Sequence, residues 1–142
     1  MNVQAALFVV GESPGTKTYQ DVTKVIEWHI KDGRIYSSVR LRGVWQHMPV
    51  FARAVGTGEL CLAGTCASLD AEDVPFPGRE KKWPLSYRVA FTHVLRGVHA
   101  ADVLGPASAA RKVRGLDRDQ LRLATAAFAD APLAAAWRRH PD

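Results

Sequence analysis

Residues 85–95 read LSYRVAFTHVL, and larger, mostly apolar side chains alternate there with smaller or polar ones. Successive side chains of a β-strand point to opposite faces, so an alternation with a period of two predicts a strand. The more apolar face carries Leu85, Tyr87, Val89, Phe91, His93 and Leu95. This predicted strand is long enough to cross a small β-barrel.

Further strands are predicted on the N-terminal side of this stretch. Residues 4–10 form a short apolar run that ends in the turn sequence Gly11-Glu12-Ser13-Pro14-Gly15, and they predict a buried opening strand. Residues 34–44 alternate as well and predict a strand with one apolar and one basic face. Residues 48–55 predict a strand or a short helix, and the glycine-rich turn after them favours a hairpin into residues 59–69.

Two segments have the apolar spacing of an amphipathic helix. The first is residues 21–32, and Gly33 predicts its end. Its apolar side carries Val22, Val25, Ile26 and Ile30, together with His29. The second begins near Asp117, which predicts an N-cap with Gln120 in the capping-box position.

A long loop, residues 70–84, is rich in proline and charged side chains and lies between the predicted strands. The order of strand, helix, several strands around this loop and C-terminal helices predicts an α+β domain with a curved sheet or small barrel. The length of 142 residues predicts one domain, residues 1–142.

The composition also narrows the function. With 47% apolar and 23% charged residues, the chain has the composition of a soluble globular protein. No apolar run is long enough to span a membrane and the N-terminus has no early Lys or Arg, so we expect a cytoplasmic protein without a membrane partner. Cys61 and Cys66 are five residues apart on one predicted strand, which predicts opposite faces and no disulfide.

The positive charge is concentrated in one part of the sequence. Residues 79–122 contain ten Lys or Arg against four Asp or Glu, whereas the rest of the chain contains nine against ten. A clustered excess of this kind is suited to binding phosphates, because each neutralised phosphate releases condensed counterions. A solvated basic surface explains the same distribution equally well.

The motifs of common enzymes are missing from the sequence. It contains no Gly-x-Ser-x-Gly, no Walker loop, no Gly-x-Gly-x-x-Gly and no His-Glu-x-x-His. The cysteines and histidines do not have the spacing of metal ligands. We therefore expect no catalytic residues, no metal and no cofactor.

Five segments spread over most of the chain carry a resemblance to a known family. They are Leu7-Phe8-Val9-Val10-Gly11-Glu12-Ser13-Pro14, Gly43-Val44-Trp45, Gly64-Thr65-Cys66-Ala67-Ser68, Trp83-Pro84-Leu85-Ser86-Tyr87-Arg88-Val89, and Arg111-Lys112-Val113 to Phe128. With these segments the sequence resembles the EVE family of the PUA-like superfamily, and the related ASCH branch is the alternative. The resemblance implies a mixed β-barrel flanked by helices, with a cleft that binds a modified or unmodified nucleic-acid base.

The residue chemistry suggests which side chains would line such a cleft. An unstacked base needs aromatic faces in place of its lost neighbours, and cations must hold its phosphates. The candidate base-binding residues are Trp45, Trp83, Tyr36, Ser13 and His47, and the candidate phosphate-binding residues are Arg40, Arg42, Lys81, Lys82 and Arg88. Packing in the core or on its rim is the competing interpretation of each tryptophan.

The sequence therefore predicts a module that binds DNA or RNA. Two alternatives stay open. One is a small ASCH-like hydrolase of a modified nucleoside, in which Lys24, Glu27 and Thr23 would activate water. The other is a protein-interaction adaptor. The choice between DNA and RNA, the modification and the oligomeric state do not follow from the sequence.

Overall fold

The computed structural model describes residues 3–43, 46–109 and 113–133. Helices and strands alternate irregularly along the chain, which confirms the predicted α+β class. In chain order the elements are β1 (Ala5–Val10), β2 (Glu12–Ser13), β3 (Thr16–Lys17), α1 (Val22–Asp32), β4 (Arg34–Ser37), β5 (Pro49–Ala54), β6 (Leu60–Cys66), β7 (Leu85–Val94), α2 (Ala100–Leu104), a 3-10 turn (Pro106–Ala109), β8 (Arg114–Leu116) and α3 (Arg118–Phe128).

Six strands form one mixed sheet in the order β4-β7-β6-β5-β1-β8. β1 is parallel to β5, and the other pairs in this sheet are antiparallel. Register shifts at Ala52/Arg53 and at Ala63/Gly64 add bend and twist, and the sheet curls into a half-barrel. The prediction of a strongly curved sheet is confirmed. β2 and β3 form a separate hairpin.

Each face of the sheet is covered by a hydrophobic cluster. In β1, Phe8 and Val10 belong to one cluster and Leu7 belongs to the other, as the alternation of a strand requires. The first cluster fills the inside of the curl and takes residues from α1 and from five strands. The second cluster covers the outer face, where α2 and α3 pack.

Both predicted helix starts are confirmed by their caps. The Asp21 carboxylate accepts a hydrogen bond from the backbone N–H of Lys24, and Gly33 ends α1 in the left-handed conformation at φ 70°. At the start of α3, Asp117 and Gln120 form the complete capping box. The β5–β6 hairpin and the start of β7 at Leu85 are confirmed as well.

The strand predicted over residues 34–44 is too long. β4 ends at Ser37, whose hydroxyl donates to the carbonyl oxygen of Val39 and accepts from the Val39 N–H. This local turn takes the place of ladder hydrogen bonds. Val39 consequently is 52% exposed, and Ile35 and Tyr36 are both buried. Arg40 and Arg42, which were predicted on the basic face, lie beyond the end of the strand.

The prediction that Cys61 and Cys66 face opposite sides of β6 is wrong. Both thiols are buried in the first cluster, and neither forms a disulfide. Ala52 pairs with Leu62 whereas Arg53 pairs with Leu60, so Cys61 is an extra residue in β6, which is a β-bulge. The alternation of side chains between the two faces of the sheet shifts by one residue at this bulge. Burial raises the pKa of Cys61 to about 12, which keeps this thiol protonated.

Within the described ranges, the longest helices are α1 and α3, with 11 residues each. A helix needs roughly 20 apolar residues to cross a bilayer. None of the helices in these ranges is therefore long enough to span a membrane.

Candidate functional site

A pocket lies at the seam where the half-barrel fails to close. β8 pairs with β1 only from Ala5 to Leu7, so the edge of β1 beyond Leu7 has no β8 partner. β4, the other edge of the sheet, comes close to β1 without forming a ladder with it. The opening between them has a volume of about 150 Å³. We call it the seam pocket, and it is lined by Val9, Tyr36, Ser37, Ser38, Val39, Trp83 and Val113.

Five rings pack together behind the seam pocket. They form the aromatic cluster, which consists of Trp28, His29, Tyr36, Phe76 and Trp83. Phe76 is central, with ring centroids 5.3 Å from Trp28, 5.1 Å from Tyr36 and 5.1 Å from Trp83. Tilted and edge contacts of this kind are the preferred geometry of aromatic pairs. The cluster therefore forms a closely packed wall behind the seam pocket, with side chains from α1, β4 and the long loop.

The long loop is folded tightly where it contributes to this wall. The N–H of Phe76 donates to the carbonyl oxygen of Trp83, and the N–H of Trp83 donates to the carbonyl oxygen of Arg79. The loop is also tied to β2, because the Glu12 carboxylate lies 3.2 Å from Arg79 Nε and 3.7 Å from Lys82 Nζ. These contacts fix Trp83 at the edge of the seam pocket.

Trp83 has a cation beside its ring. Lys82 Nζ lies 4.4 Å from the centroid of the Trp83 ring, within the range of a cation–π interaction. Both residues are accessible at the surface, since Lys82 is exposed and Trp83 is partly exposed. An aromatic face and an ammonium group are thus available to the same ligand.

His29 is the buried polar member of the aromatic cluster. Its Nδ1 donates to the carbonyl oxygen of Val25 at 2.9 Å, because a carbonyl can only accept. Burial lowers the pKa of His29 to about 4, so the ring is neutral at pH 7. Burial and the Asp32 carboxylate, which accepts the Tyr36 hydroxyl at 2.7 Å, raise the pKa of Tyr36. Both groups are therefore uncharged at neutral pH.

Two larger grooves border the aromatic cluster. The helix groove, about 500 Å³, lies beside α1 and is lined by Ser13, Pro14, Lys24, Glu27, Trp28, Ile30 and Lys31. The hairpin groove, about 530 Å³, lies between the β2–β3 hairpin and the long loop, and is lined by residues 12–17, Tyr19, Gln20 and residues 76–79. Ser13 and Pro14 belong to both grooves and separate them.

Ser13 is 3% exposed, and its hydroxyl has no hydrogen-bond partner among the described residues. An unpaired buried hydroxyl costs stability, so Ser13→Ala should raise the free energy of unfolding by about 1 kcal/mol. Ser68 is the matched control, because its equally buried hydroxyl accepts the N–H of Arg88 at 2.7 Å. Ser68→Ala should lower the stability by about 1 kcal/mol. Denaturant unfolding of both variants measures the difference, and a destabilised Ser13→Ala would contradict the assignment.

The structure brings together part of the predicted base-binding set. Trp83 and Tyr36 line the seam pocket, although Tyr36 is only 7% exposed. Ser13 lies on the other side of the aromatic cluster, between the two grooves. His47 is exposed in the turn before β5, where its N–H donates to the carbonyl oxygen of Cys66. Trp45 lies outside the described residues.

The predicted phosphate-binding residues are spread over more than one surface. Lys82 lies beside the ring of Trp83, and Lys81 is exposed next to it in sequence. Arg40 forms an ion pair with Asp70, and Arg88 forms one with Glu72. Arg42 is exposed after β4.

Sequence reasoning missed several residues of the site. Trp28 was not among the predicted base-binding residues, yet it packs in the aromatic cluster and lines the helix groove. Phe76 and Arg79 lie in the long loop and Glu12 lies in the predicted turn, and none of the three was predicted as a site residue. The signal that could have indicated them is the proximity of Phe76, Arg79 and Trp83 in one loop. Glu12 gave no signal, since its contacts with the loop are 67 residues away in sequence.

Comparison with known proteins does not place the chain in a family. No protein-family model matches it, and neither the curated proteins nor the solved structures that were compared contain a match. In the described part of the chain, no group of three or more His, Cys, Asp or Glu side chains is placed to hold a metal ion. The geometry of the seam pocket and the grooves is therefore the basis on which a function can be proposed.

Proposed function

We propose that this protein binds a single-stranded or unstacked segment of nucleic acid and holds one base, modified or unmodified, in the seam pocket. The observation that carries the proposal is the pairing of Lys82 with Trp83, whose ring lines that pocket. A base can stack on the indole ring, and the ammonium group can contact the adjoining phosphate. A PUA-like fold of the EVE type belongs to the same proposal and is supported by the curled sheet and the sequence resemblance.

Positively charged side chains in the long loop near the seam pocket support a nucleic-acid ligand. Lys82 is exposed, and its ion pair with Glu12 spans 3.7 Å, so it is a weak contact that a phosphate can replace. Lys81 and Arg79 lie in the same loop and are exposed as well. Phosphate contacts of this type give affinity that falls as the salt concentration rises. Sequence or modification preference would come from the pocket itself.

The Trp83→Ala variant tests this proposal. Loss of one stacked base costs about 1–3 kcal/mol, so the affinity for oligonucleotides should fall about 5- to 150-fold. Trp83→Phe keeps a ring and should retain most of the affinity. The measurement is fluorescence anisotropy with modified and unmodified single-stranded DNA and RNA, at about 50 and about 200 mM salt.

A pair of charge variants controls for non-specific attraction. Lys82→Ala should weaken binding and flatten the salt dependence, because it removes a phosphate contact. Arg122→Ala removes one exposed cation from α3, on the opposite face of the sheet, and should change neither. If Trp83→Ala bound every oligonucleotide as tightly as the parent while melting at the same temperature, the seam pocket would not be the site.

A hydrolase of modified nucleosides is the second candidate, and one observation favours it. Lys24 and Glu27 both line the helix groove, so an amine and a carboxylate share one opening. Thr23 is directed elsewhere, because its hydroxyl accepts a hydrogen bond from Arg96. The test is the turnover of modified nucleosides. Turnover that is lost in Lys24→Ala and does not change with salt concentration would favour this candidate over binding alone.

A further inference from the structure

The hairpin groove has features that a base in the seam pocket would not use. Tyr19 lies at its rim and is 66% exposed, an unusual exposure for a tyrosine in a folded domain. Lys17 Nζ lies 5.7 Å from the centroid of the Tyr19 ring. This groove thus contains the same pairing of an aromatic ring and an ammonium group as Trp83 and Lys82.

The hairpin groove and the seam pocket are connected along the aromatic cluster. Phe76 lines the groove and Trp83 lines the pocket, and their ring centroids are 5.1 Å apart. Glu12 lines the groove and lies beside both rings. A nucleotide chain that leaves the pocket across this ridge would enter the groove.

We infer that the hairpin groove is a second nucleotide subsite, which binds the neighbour of the base held in the seam pocket. Tyr19 is the stacking platform for that second base, and Lys17 and Arg79 on the groove hold its phosphate. The groove volume of about 530 Å³ lies within the range of small-molecule sites. Lys17 and Arg79 give the groove two positive charges against the one carboxylate of Glu12, which pairs with Arg79, and the net positive charge complements a phosphate. The inference rests on the proposed function and adds that the ligand is at least a dinucleotide.

The rigid backbone of the hairpin supports this role for Tyr19. The hydroxyl of Thr18 donates to the carbonyl oxygen of Val55, and the N–H of Thr18 donates to the carbonyl oxygen of Gly11. Both bonds fasten the residue before Tyr19 to the ends of β5 and β1. The exposed ring is consequently presented from a fixed backbone, which lowers the entropic cost of stacking.

The test compares Tyr19→Ala, Tyr19→Phe and Trp83→Ala in the full chain. The probes are nucleoside monophosphates, dinucleotides and tetranucleotides of single-stranded DNA and RNA, titrated by calorimetry. Tyr19→Ala should weaken dinucleotides and tetranucleotides about 5- to 150-fold and leave monophosphates unchanged. Tyr19→Phe should bind like the parent. Trp83→Ala should weaken all three probes.

Charge variants and melting temperatures complete the test. Lys17→Ala should weaken the longer probes and reduce their salt dependence, whereas Lys31→Ala, which removes an equivalent charge from the helix groove, should not. Because Tyr19 is exposed, its variants should melt like the parent. If dinucleotide binding depended on Trp83 but not on Tyr19, the second subsite would be overturned and the proposed function would stand. If the parent bound no oligonucleotide, both the subsite and the proposed function would be overturned.

Discussion

Gly64→Ala should destabilise the protein by about 3 kcal/mol, near the upper end of the cost of overpacking a tightly packed core. Gly64 lies in β6 where the register against β7 shifts. A Cβ on this residue would clash with the carbonyl oxygen of Ala90 and would lie 2.9 Å from the Cα of Phe91. Both are backbone atoms that a rotamer change cannot move. Denaturant unfolding measures the loss, which appears as a lower midpoint at unchanged slope.

Gly11→Ala is the matched control for this prediction. Gly11 follows β1, and a Cβ there would meet the Val55 side chain at an ordinary 3.5 Å. This variant should unfold within about 0.5 kcal/mol of the parent, like other substitutions without a structural conflict. If both variants were equally stable, the close approach of β6 to β7 would not exist and the sheet would curl less than described.

The fold could be predicted from the sequence where local patterns dominate. Asp21 and Gly33 delimit α1, and Asp117 with Gln120 starts α3, because capping depends on residues that are neighbours in sequence. The alternation in residues 85–95 likewise predicted β7, with Tyr87 and Val89 in the core. The predicted face is wrong beyond Phe91, because the register shift opposite Ala63/Gly64 brings Val94 to the first cluster and Leu95 to the second. Where a bulge or a turn side chain intervened, the prediction failed. A bulge changes the face on which Cys61 lies, and a serine turn ends β4 at Ser37. Neither feature changes the hydrophobic pattern of the sequence, so the pattern does not predict them.

The candidate site could be predicted only in part, for the same reason. Trp83 and Lys82 are adjacent in sequence, and both were predicted as site residues, whereas the contact between their side chains is seen only in the structure. The association of Glu12 with Arg79 depends on how the long loop folds against β2. The seam itself arises because β8 leaves β1 after Leu7, and strand pairing of that kind is not encoded in any single segment.

Lowering the pH from 7 to 4 should cost the protein about 3 kcal/mol of stability through His29 alone. Its pKa is about 4 in the folded protein, against 6.5 when unfolded, because burial disfavours the charged ring. Between pH 6.5 and about pH 4, His29 is therefore protonated in the unfolded chain and neutral in the folded chain. The stabilisation is complete above pH 6.5 and is lost as the pH falls through this window.

Glu72 and Glu59, whose pKa values are lowered, do not account for a loss of stability between pH 6.5 and 4.5. A hydrogen bond from Arg34 is the main cause that lowers the pKa of Glu72. Burial alone would raise the pKa of Glu59, but the N–H of Gly97 and the charge of Arg96 outweigh it and lower the pKa below 4.5. Stability that depends on these two groups is consequently lost only below pH 4.5.

His29→Phe isolates the contribution of the imidazole, because it keeps an aromatic ring against Trp28 and removes the titrating group. Denaturant unfolding at several pH values should give this variant nearly constant stability between pH 6.5 and 4.5, whereas the parent loses stability there. His99→Gln, which removes an exposed imidazole, should follow the parent. A parent that stays equally stable from pH 7 to 4.5 would mean that His29 is protonated without penalty, and the aromatic cluster would then have to admit water.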